Sequence, residues 1–389
     1  MITKIELTNF KSHAHTVIEP RRVTALVGPN GAGKSNVLQA LRSLMDLAVP
    51  RPNLELNPSG KLMREGCDSF EIKVEGKHQK HPWLFKALTS SRDYPLPHAP
   101  HTPNVRAWGM YIEGRLFHEE GYLAPPENRN VSLLLGTGIP ESLLAAVGKY
   151  TYLKATAANL ASPSYTEEIP PSISADGQGM ASTIANLMTS ETDGHQAIVE
   201  SLHQIVSLVK NVRVRPARIA RTEKRVISID GKDFPFDEKR EVVGHEIIFD
   251  TQTIKGLPAY AMSDGTLLAL GLLTLLWSSP NAHLILLDDI EAGLHPLAQR
   301  QLMKVIKDFA EKHDRQIILT SHSPYIVDAL DAKDVWVMAT DKEGISHTKR
   351  LSDHPDATRA LDILTTGELW DAEGESWVLE NAPAELANA

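Results

Sequence analysis

The stretch that most constrains the fold runs from residue 23 to residue 45. Residues 23–27 read VTALV, a short apolar run that predicts a buried strand. Residues 28–35 read GPNGAGKS and match the phosphate-binding pattern G-x-x-x-x-G-K-[ST]. Apolar residues then recur at helical spacing, at Val37, Leu38, Leu41, Leu44 and Met45. Strand, loop and helix in this order are the context that the pattern requires, so the match is specific.

The chemistry of this loop predicts ATP as cofactor, together with Mg²⁺. Its glycines let the backbone wrap closely around phosphate oxygens, and its N–H groups form an anion nest at a helix N-terminus. We expect Lys34 to reach the β- and γ-phosphates and the Ser35 hydroxyl to ligate Mg²⁺. The alternative is a glycine-rich turn, which gives no packing reason for Lys-Ser after the last glycine. The predicted nucleotide-binding residues of the loop are Asn30, Gly31, Ala32, Gly33, Lys34 and Ser35.

Composition bounds the class of protein. The chain has 389 residues, enough for two to three domains, and 42% of them are hydrophobic. Its net charge of −9 argues against general polyanion binding, so any nucleic-acid contact would need a local basic patch. The single cysteine, Cys67, excludes an intrachain disulfide. No apolar run approaches the ~18 residues that a membrane span needs, and the first ten residues are too polar for a signal peptide. We therefore expect a cytoplasmic protein without a membrane partner.

The order of patterns along the chain predicts an α/β fold. Residues 2–8, 70–75, 108–113 and 115–122 alternate like antiparallel strands. Residues 125–235 are predicted to be a mostly helical insertion. Beyond them, apolar strands alternate with helices, which predicts a mostly parallel core sheet. The expected divisions are a first half of the nucleotide head at 1–124, the insertion at 125–235, a second half at 236–345 and a tail at 346–389.

An apolar strand at residues 284–287 delivers two carboxylates, Asp288 and Asp289. This arrangement fits the second motif of a phosphate-loop ATPase, in which one acid holds the Mg²⁺ shell and its neighbour orients the attacking water. We assign Asp288 to the metal and Asp289 to catalysis. The alternative is an exposed Asp-Asp turn after a core strand, and the phosphate loop upstream argues against it.

Two further stretches can serve the same site. Ser263 and Asp264 precede a helix and would make a good N-cap, which taken alone is the simpler interpretation. In the functional interpretation, Ser263 and Gly265 present a hydroxyl and a helix N-terminus to a γ-phosphate. His322 follows a strand and would by itself be a loop histidine. Its position one strand after the two acids favours a catalytic role.

These motifs together resemble the ABC-type ATPases, and within them the RecF, SMC and OLD-like group. The resemblance rests on residues 28–35, 263–266, 286–296 and 320–324, on the opening IELTNFKS at 5–12 and on the pattern around Asp176. It implies an ABC-type head with an antiparallel β subdomain and a helical insertion. It also implies that Ser263 and Gly265 reach a nucleotide on the opposite subunit, that residues 291–295 form the loop between two sites, and that His322 senses the γ-phosphate.

One position departs from the family pattern. The family usually has glutamate where this chain has Asp289, and aspartate is one methylene shorter. Hydrolysis would then be slow, or Glu291 would share the catalytic role. The sequence leaves these two alternatives open.

The remaining features bear on partners. The tail acids lie among Leu369, Trp370 and Trp377, which favours an amphipathic helix over a nuclease centre. The arginines between 213 and 225 alternate, which favours one solvated strand face over a polyanion or partner surface.

The resemblance implies an ATP-sandwiched homodimer or higher homo-oligomer that controls a separate effector, most simply a nuclease. The insertion and the tail are the expected contact surfaces. The leading interpretation is an ATPase subunit of bacterial anti-phage defence, similar in kind to the Septu and PARIS ATPases. The alternatives are a RecF-like repair ATPase that binds duplex DNA and an ATP-binding regulatory scaffold with little turnover.

Overall fold

A computed structural model describes residues 1–47, 62–67, 69–78, 81–90, 104–112, 115–121, 149–190, 193–229 and 232–380. The chain forms two compact units. The first comprises Met1–Tyr152, Asn281–Ile290 and Ile306–Ala389, and the second comprises Leu153–Pro280 and Glu291–Val305. The candidate loop, the two acids and His322 therefore fall in the first unit, whereas Ser263, Gly265 and Glu291 fall in the second.

The first unit begins with strands and one long helix. Its elements up to the crossing into the second unit are β1 (Ile2–Phe10), β2 (His13–Ile18), β3 (Val23–Val27), α1 (Lys34–Leu47), β4 (Ser69–His78), β5 (His81–Ser90), β6 (Asn104–Ile112), β7 (Arg115–Gly121) and β8 (Tyr150–Leu153). The predicted antiparallel strands around 70–75, 108–113 and 115–122 are confirmed as β4, β6 and β7. Residues 94–103, whose prolines predict an irregular loop, lie outside the described residues.

The second unit contains helices and a long two-stranded ribbon, and most of the later chain belongs to the first unit again. The elements of the second unit are α2 (Ala157–Ala161), α3 (Met180–Thr189), α4 (Gly194–Ile205), β9 (Val209–Ile229), β10 (Lys232–Thr251), β11 (Leu257–Pro258) and α5 (Asp264–Ser278). The later elements are β12 (Leu284–Leu287), α6 (Pro296–Lys312), β13 (Gln316–Ser321), α7 (Pro324–Val327), β14 (Val335–Thr340), β15 (Ser346–Arg350), α8 (Ala357–Ala360), α9 (Thr366–Glu373) and α10 (Ser376–Leu379).

The core of the first unit is a six-stranded sheet of order β15-β14-β3-β13-β12-β8. Strands β14, β3, β13 and β12 run parallel to one another, and β15 is antiparallel to β14. The central strands β3, β12 and β13 are buried along their whole length, which explains their near-continuous apolar sequences. The predicted mostly parallel sheet is confirmed. Its parallel strands end at one edge, where the residues that follow them meet.

The second sheet of this unit is antiparallel and has the order β2-β1-β4-β5-β6-β7. Helix α1 contributes Val37, Leu38, Leu41 and Leu44 to a buried cluster that also contains side chains of both sheets. Phe10 and Phe70 add an edge-to-face ring contact with centroids 5.4 Å apart. Because α1 is held by both sheets, the helix that begins at Lys34 is fixed at the sheet edge.

The second unit contains the predicted helical insertion only in part. Helices α2, α3 and α4 lie where helices are predicted. Within the same predicted insertion, however, Tyr150–Leu153 form strand β8 of the core sheet, and Val209–Ile229 form strand β9. The reason for β9 is the partner strand β10, which pairs with β9 along almost all of its length. The V-R-V-R alternation is the local sign of this strand, as the solvated-face interpretation expects. Residues 125–148 of the predicted insertion lie outside the described residues.

The predicted tail is folded into the first unit. Strand β15 is an edge of the core sheet, and helix α9 begins with a capping box between Thr365 and Glu368. Trp370 and Trp377 are buried and Asp371 and Glu373 are exposed, so the tail is helical with an apolar side as expected, but Gly374 divides it into α9 and α10 instead of one helix. In the described ranges, no helix has both the length and the apolar run that crossing a bilayer would require.

Candidate nucleotide site

Three parallel strands bring the predicted residues of the first unit to one place. Strand β13 lies between β3 and β12, with Leu287 opposite Leu319 and Val27 opposite Ser321. The phosphate loop follows β3, the two acids follow β12, and His322 follows β13. Because all three strands are parallel, their carboxyl ends share one edge, which is where open α/β sheets bind ligands.

The loop has the backbone that its glycines predict. Gly28, Gly31 and Gly33 all have positive φ, at 141°, 83° and 96°. A Cβ on Gly28 would overlap the Met338 carbonyl, and a Cβ on Gly33 would overlap the Ser346 hydroxyl. Two of the glycines are therefore required both by their torsions and by close neighbours.

Lys34 is buried at the start of α1, with 5% of its surface exposed. Its Nζ donates to the carbonyl oxygens of Gly28 and Pro29, at 2.8 and 2.9 Å, and lies 3.4 Å from His322 Nδ1. The ammonium group is thus curled over the loop in which phosphate oxygens would bind. It is the one charge of the loop itself.

A group of hydroxyls surrounds the buried Asp288 carboxylate. Ser35 Oγ donates to Oδ1 over 2.8 Å, Thr320 Oγ1 donates to the same oxygen over 2.6 Å, and Tyr152 OH donates to Oδ2 over 3.3 Å. Ser35 and Asp288 thus present adjacent hard oxygen atoms, which is the ligand type that Mg²⁺ prefers. These two residues fit the predicted metal position.

Asp289 points elsewhere because its backbone turns sharply. Its φ is +56°, a left-handed conformation that aspartate tolerates better than most residues. Its N–H donates to Thr320 Oγ1 over 2.9 Å, which holds the turn in place. The carboxylate is 41% exposed, and its Oδ1 lies 3.7 Å from His322 Nε2. One acid therefore faces the metal position, and the next faces the histidine and solvent.

Sequence reasoning missed His13, which lies directly behind the loop. The side chain is fully buried, and its Nε2 lies 3.1 Å from the Gly33 carbonyl oxygen. Its Nδ1 lies 2.9 Å from Thr16 Oγ1. Since the carbonyl can only accept, Nε2 carries the proton and Nδ1 accepts from the threonine. Burial lowers the pKa of His13 to about 4, so the ring is neutral at pH 7. The residue directly follows the resembling stretch 5–12, which was the available signal.

Sequence reasoning also missed Tyr152, which ties α1 to the acids. Its hydroxyl reaches Asp288, and its ring packs under the Arg42 guanidinium of α1, with 4.0 Å between the guanidinium carbon and the ring centroid. The neighbouring Tyr150 donates to Asp46 of the same helix over 2.6 Å. No motif marks these tyrosines, because they act through packing on a helix far away in sequence.

In the second unit, Ser263 and Gly265 lie at the start of α5 and have local roles. Ser263 is the exposed N-cap, and its Oγ accepts from Thr266 N over 3.4 Å. Gly265 is buried, and a Cβ there would overlap the carbonyl of Gly293. Both the cap and the glycine therefore have reasons within their own chain, and of the two only Ser263 is presented to solvent. Glu291 lies two residues before Gly293 in the same unit.

The arginines of β9 are matched by acids. Each pairs with a carboxylate of its own unit, with shortest N–O distances of 2.7 Å for Arg213–Asp250, 2.5 Å for Arg215–Glu246, 3.6 Å for Arg218–Glu241, 3.3 Å for Arg221–Glu167 and 2.7 Å for Arg225–Glu238. The solvated strand face expected for this stretch is what the structure shows. Neutralisation by carboxylates removes the charge that a polyanion surface would need.

The buried His13 predicts a pH dependence of stability. In the unfolded chain its pKa is ~6.5, whereas in the folded chain it is about 4. The unfolded state therefore binds the proton first, so stability is complete above pH 6.5 and falls as the pH drops toward 4, by about 3 kcal/mol. We expect His13→Gln, which keeps an N–H donor but does not titrate, to flatten this part of the profile in chemical denaturation. Equal slopes in both proteins would contradict the assignment.

Two family models match the chain. One, described as "AAA domain, putative AbiEii toxin, Type IV TA system", matches residues 156–328. The other, described as "AAA ATPase domain", matches residues 1–85. The two matched ranges contain the phosphate loop, both acids and His322. Among curated proteins, none matches the sequence of this chain.

The overall fold is similar to those of solved SMC heads. A crystal structure of an SMC head bound to the C-winged helix domain of ScpA has 15% identity and a TM-score of 0.58, with 93% of this chain and 99% of that chain covered. An SMC head domain with an extended coiled coil, bound to the C-terminal domain of ScpA derived from Pyrococcus furiosus, has 14% identity and a TM-score of 0.55, with 93% and 98% covered. At these identities the likeness is one of fold. The fold is that of an ABC-type ATPase head, and two AAA family models match separate parts of the chain.

Proposed function

We propose that the chain binds Mg-ATP at the edge formed by β3, β12 and β13, hydrolyses it within a dimer, and thereby controls a separate effector protein. The observation that carries the catalytic part is the convergence of Lys34, Ser35, Asp288, Asp289 and His322 within one unit. Phosphoryl transfer needs positioned charge and an oriented water more than covalent chemistry, and this set supplies both.

Binding requires Lys34 to exchange partners. Its Nζ is now held by two loop carbonyls, and those weak neutral acceptors can be replaced by phosphate oxygens, which form stronger charge-assisted bonds. Ser35 and Asp288 would hold the metal, whose chemistry is to neutralise charge that develops between the β- and γ-phosphates. The exposed Asp289 carboxylate would orient the attacking water, and His322 lies within reach of both Asp289 and Lys34.

Asp289 rather than Glu291 is the proposed catalytic acid. Asp289 follows the strand that also delivers Asp288, and its turn aims it at His322. Glu291 belongs to the second unit, in the loop before α6. The left-handed turn at Asp289 sets the direction of its carboxylate toward His322.

We expect Asp289→Asn to bind ATP normally but to hydrolyse it about 100-fold more slowly, the scale of a lost general base. The matched amide variant Glu291→Gln should keep most of the turnover. Steady-state hydrolysis and nucleotide binding by calorimetry separate the two effects. The reverse result, with turnover lost only in Glu291→Gln, would transfer the catalytic role to Glu291.

The dimer part of the proposal rests on α5 and on the resemblance. Ser263 is an exposed cap at the N-terminus of a buried helix, and such an end attracts phosphate. We propose that it meets the γ-phosphate held by a second copy. Gly265 is unsuitable for testing this idea, because any side chain there would collide with Gly293 of the same chain.

A mixing experiment tests binding and the shared site together. Lys34→Ala should lose ATP binding, and Ser263→Asp should lose turnover because its negative charge would repel the phosphate. Aspartate is as good an N-cap as serine, so α5 should persist, and Ser263→Asn is the uncharged control. An equal mixture of the two inactive variants should recover about a quarter of wild-type activity, since half of the dimers each hold one intact site. Absence of recovery would argue for a self-contained site.

The effector part is supported by analogy alone. The similar SMC heads were solved bound to domains of a second protein, and one matching family is described by a toxin–antitoxin system. A bistable, nucleotide-dependent dimer is suited to hold or release such a partner. We propose a nuclease effector in anti-phage defence. The neutralised arginines of β9 do not favour the repair alternative, in which that stretch would bind DNA.

Purified alone, the chain should hydrolyse ATP and leave duplex and single-stranded DNA and RNA intact in Mg²⁺ or Mn²⁺. Cleavage that disappears in Asp371→Asn, a change of an exposed tail acid, would refute the separate effector. Stimulation of turnover by duplex DNA would instead favour the repair ATPase. Tight ATP binding without turnover would favour the scaffold.

A further inference from the structure

The long ribbon of β9 and β10 has one open edge. In its three-stranded sheet the order is β11-β10-β9, so β9 is the last strand among the residues that the structure describes. Its pairing with β10 is regular from residue 211 to residue 229, and the single register shift lies at Asp250 and Thr251. An isolated two-stranded ribbon is only marginally stable in water, and an open edge is a template for another strand.

Contacts at the base of the ribbon show which residues point their backbone outward. His195 of α4 bonds to the Val212 carbonyl from outside, at 2.8 Å. On the other edge, Ser164 and His245 exchange two backbone bonds of 2.9 Å, and His245 lies opposite Pro216. In an antiparallel pair, inward and outward residues alternate. The even-numbered residues of β9 therefore direct their N–H and C=O groups to the open edge.

Pro216 supports this assignment. Proline lacks an N–H group and is tolerated in a ladder only where that group would point away from the partner strand. Pro216 also limits the part of the edge that another strand could pair with, because it has no N–H group to donate at that position. Beyond it, the outward residues are Arg218, Ala220, Thr222, Lys224 and Val226. The Val226 side chain is 61% exposed, a large apolar group at the far end of this edge.

We propose that the open edge of β9 binds the same edge of a second copy, with the strands antiparallel about a two-fold axis at Thr222. In this register each residue i lies opposite residue 444 − i of the second copy, because the numbers of two facing residues add up to twice 222. Thr222 then lies opposite Thr222 of the second copy. Arg221 lies opposite Glu223, and by symmetry Glu223 lies opposite Arg221. Threonine pairs and opposite charges are both favourable across strands.

Charge selects this register from its neighbours. An axis at residue 223 would place Glu223 opposite itself and Arg221 opposite Arg225. An axis at residue 220 would place Arg215 opposite Arg225, and an axis at 221 would place Arg218 opposite the position of Lys224. Like charges directly opposite each other destabilise a sheet. An axis at residue 224 would pair Glu223 with Arg225 but would place Lys224 opposite itself. Among axes from 220 to 224, only the one at Thr222 puts opposite charges together near the centre without a like-charge pair there.

The side chains of Arg221 and Glu223 already lie close enough to form ion pairs with their counterparts in a second copy. Arg221 lies 3.8 Å from Glu223 of its own strand and 3.3 Å from Glu167. Glu223 also has Arg225 at 3.8 Å and Arg240 at 4.0 Å. Two-fold pairing would bring a second Arg221 to each Glu223 and a second Glu223 to each Arg221. The contact uses no residue of the nucleotide site, so this dimer should form without ATP.

Cysteine cross-linking tests the register. In the Cys67→Ser, Lys34→Ala chain without nucleotide, Thr222→Cys should form an intermolecular disulfide on mild oxidation, because hydrogen-bonded partners are about 5.5 Å apart at Cα. The control Ala220→Cys should not link to itself, since the two copies of residue 220 would be about 13 Å apart along the strand. Mixing Ala220→Cys with Lys224→Cys should restore linking. Equal linking at 220 and 222, or none at 222, would overturn the proposal.

A proline substitution tests the edge. Thr222→Pro removes an outward N–H group and leaves the bonds to β10 intact, as Pro216 already does in the native strand. Thr222→Val keeps the N–H group. Light scattering without nucleotide should give a dimer for Thr222→Val and a monomer for Thr222→Pro. Equal masses would refute the ribbon dimer. Failure of the mixing experiment with an intact ribbon dimer would refute only the shared nucleotide site.

Discussion

The parallel pairing of β3, β13 and β12 is the constraint on which the candidate site depends. Each strand is followed at once by a functional group: the phosphate loop, the acid pair and His322. None of these groups is near another in sequence, and only the shared sheet edge brings them within hydrogen-bond reach. Strands β3, β12 and β13 are buried along their whole length, so the ends that carry these groups are anchored in the core.

The loop is also supported from behind. The carbonyl of Met338 and the hydroxyl of Ser346 approach Gly28 and Gly33 so closely that no side chain fits, and the neutral His13 donates to the Gly33 carbonyl. Such contacts preorganise an anion nest, so that fewer backbone torsions must be ordered when phosphate binds. Burial keeps this histidine neutral at pH 7, and the Gly33 carbonyl, which can only accept, fixes the tautomer with the proton on Nε2.

The arginines of β9 are interpreted differently once their tertiary contacts are known. A run of arginines suggests nucleic acid when read by itself. In the ribbon, each arginine meets a carboxylate, so the stretch becomes a salt-bridged strand with small net charge. Exposed pairs of this kind contribute little to stability. In the proposed ribbon dimer, their contribution is to favour one register of the facing strand.

The sequence by itself determined the nucleotide loop, the acid pair after β12, the core strands and the amphipathic tail helix, because each is a local pattern of turn residues or periodic apolar residues. The V-R-V-R alternation indicated a strand, but the sequence could not show that the strand extends over 209–229, since its partner lies in β10. Nor could it show that residue 265 must be glycine because the Gly293 carbonyl lies against it. His13 and Tyr152 escaped notice for the same reason: a lone polar residue acquires its role from neighbours far along the chain. Tertiary structure alone decided which polar groups share the sheet edge, because burial and hydrogen-bond distance are properties of the folded chain.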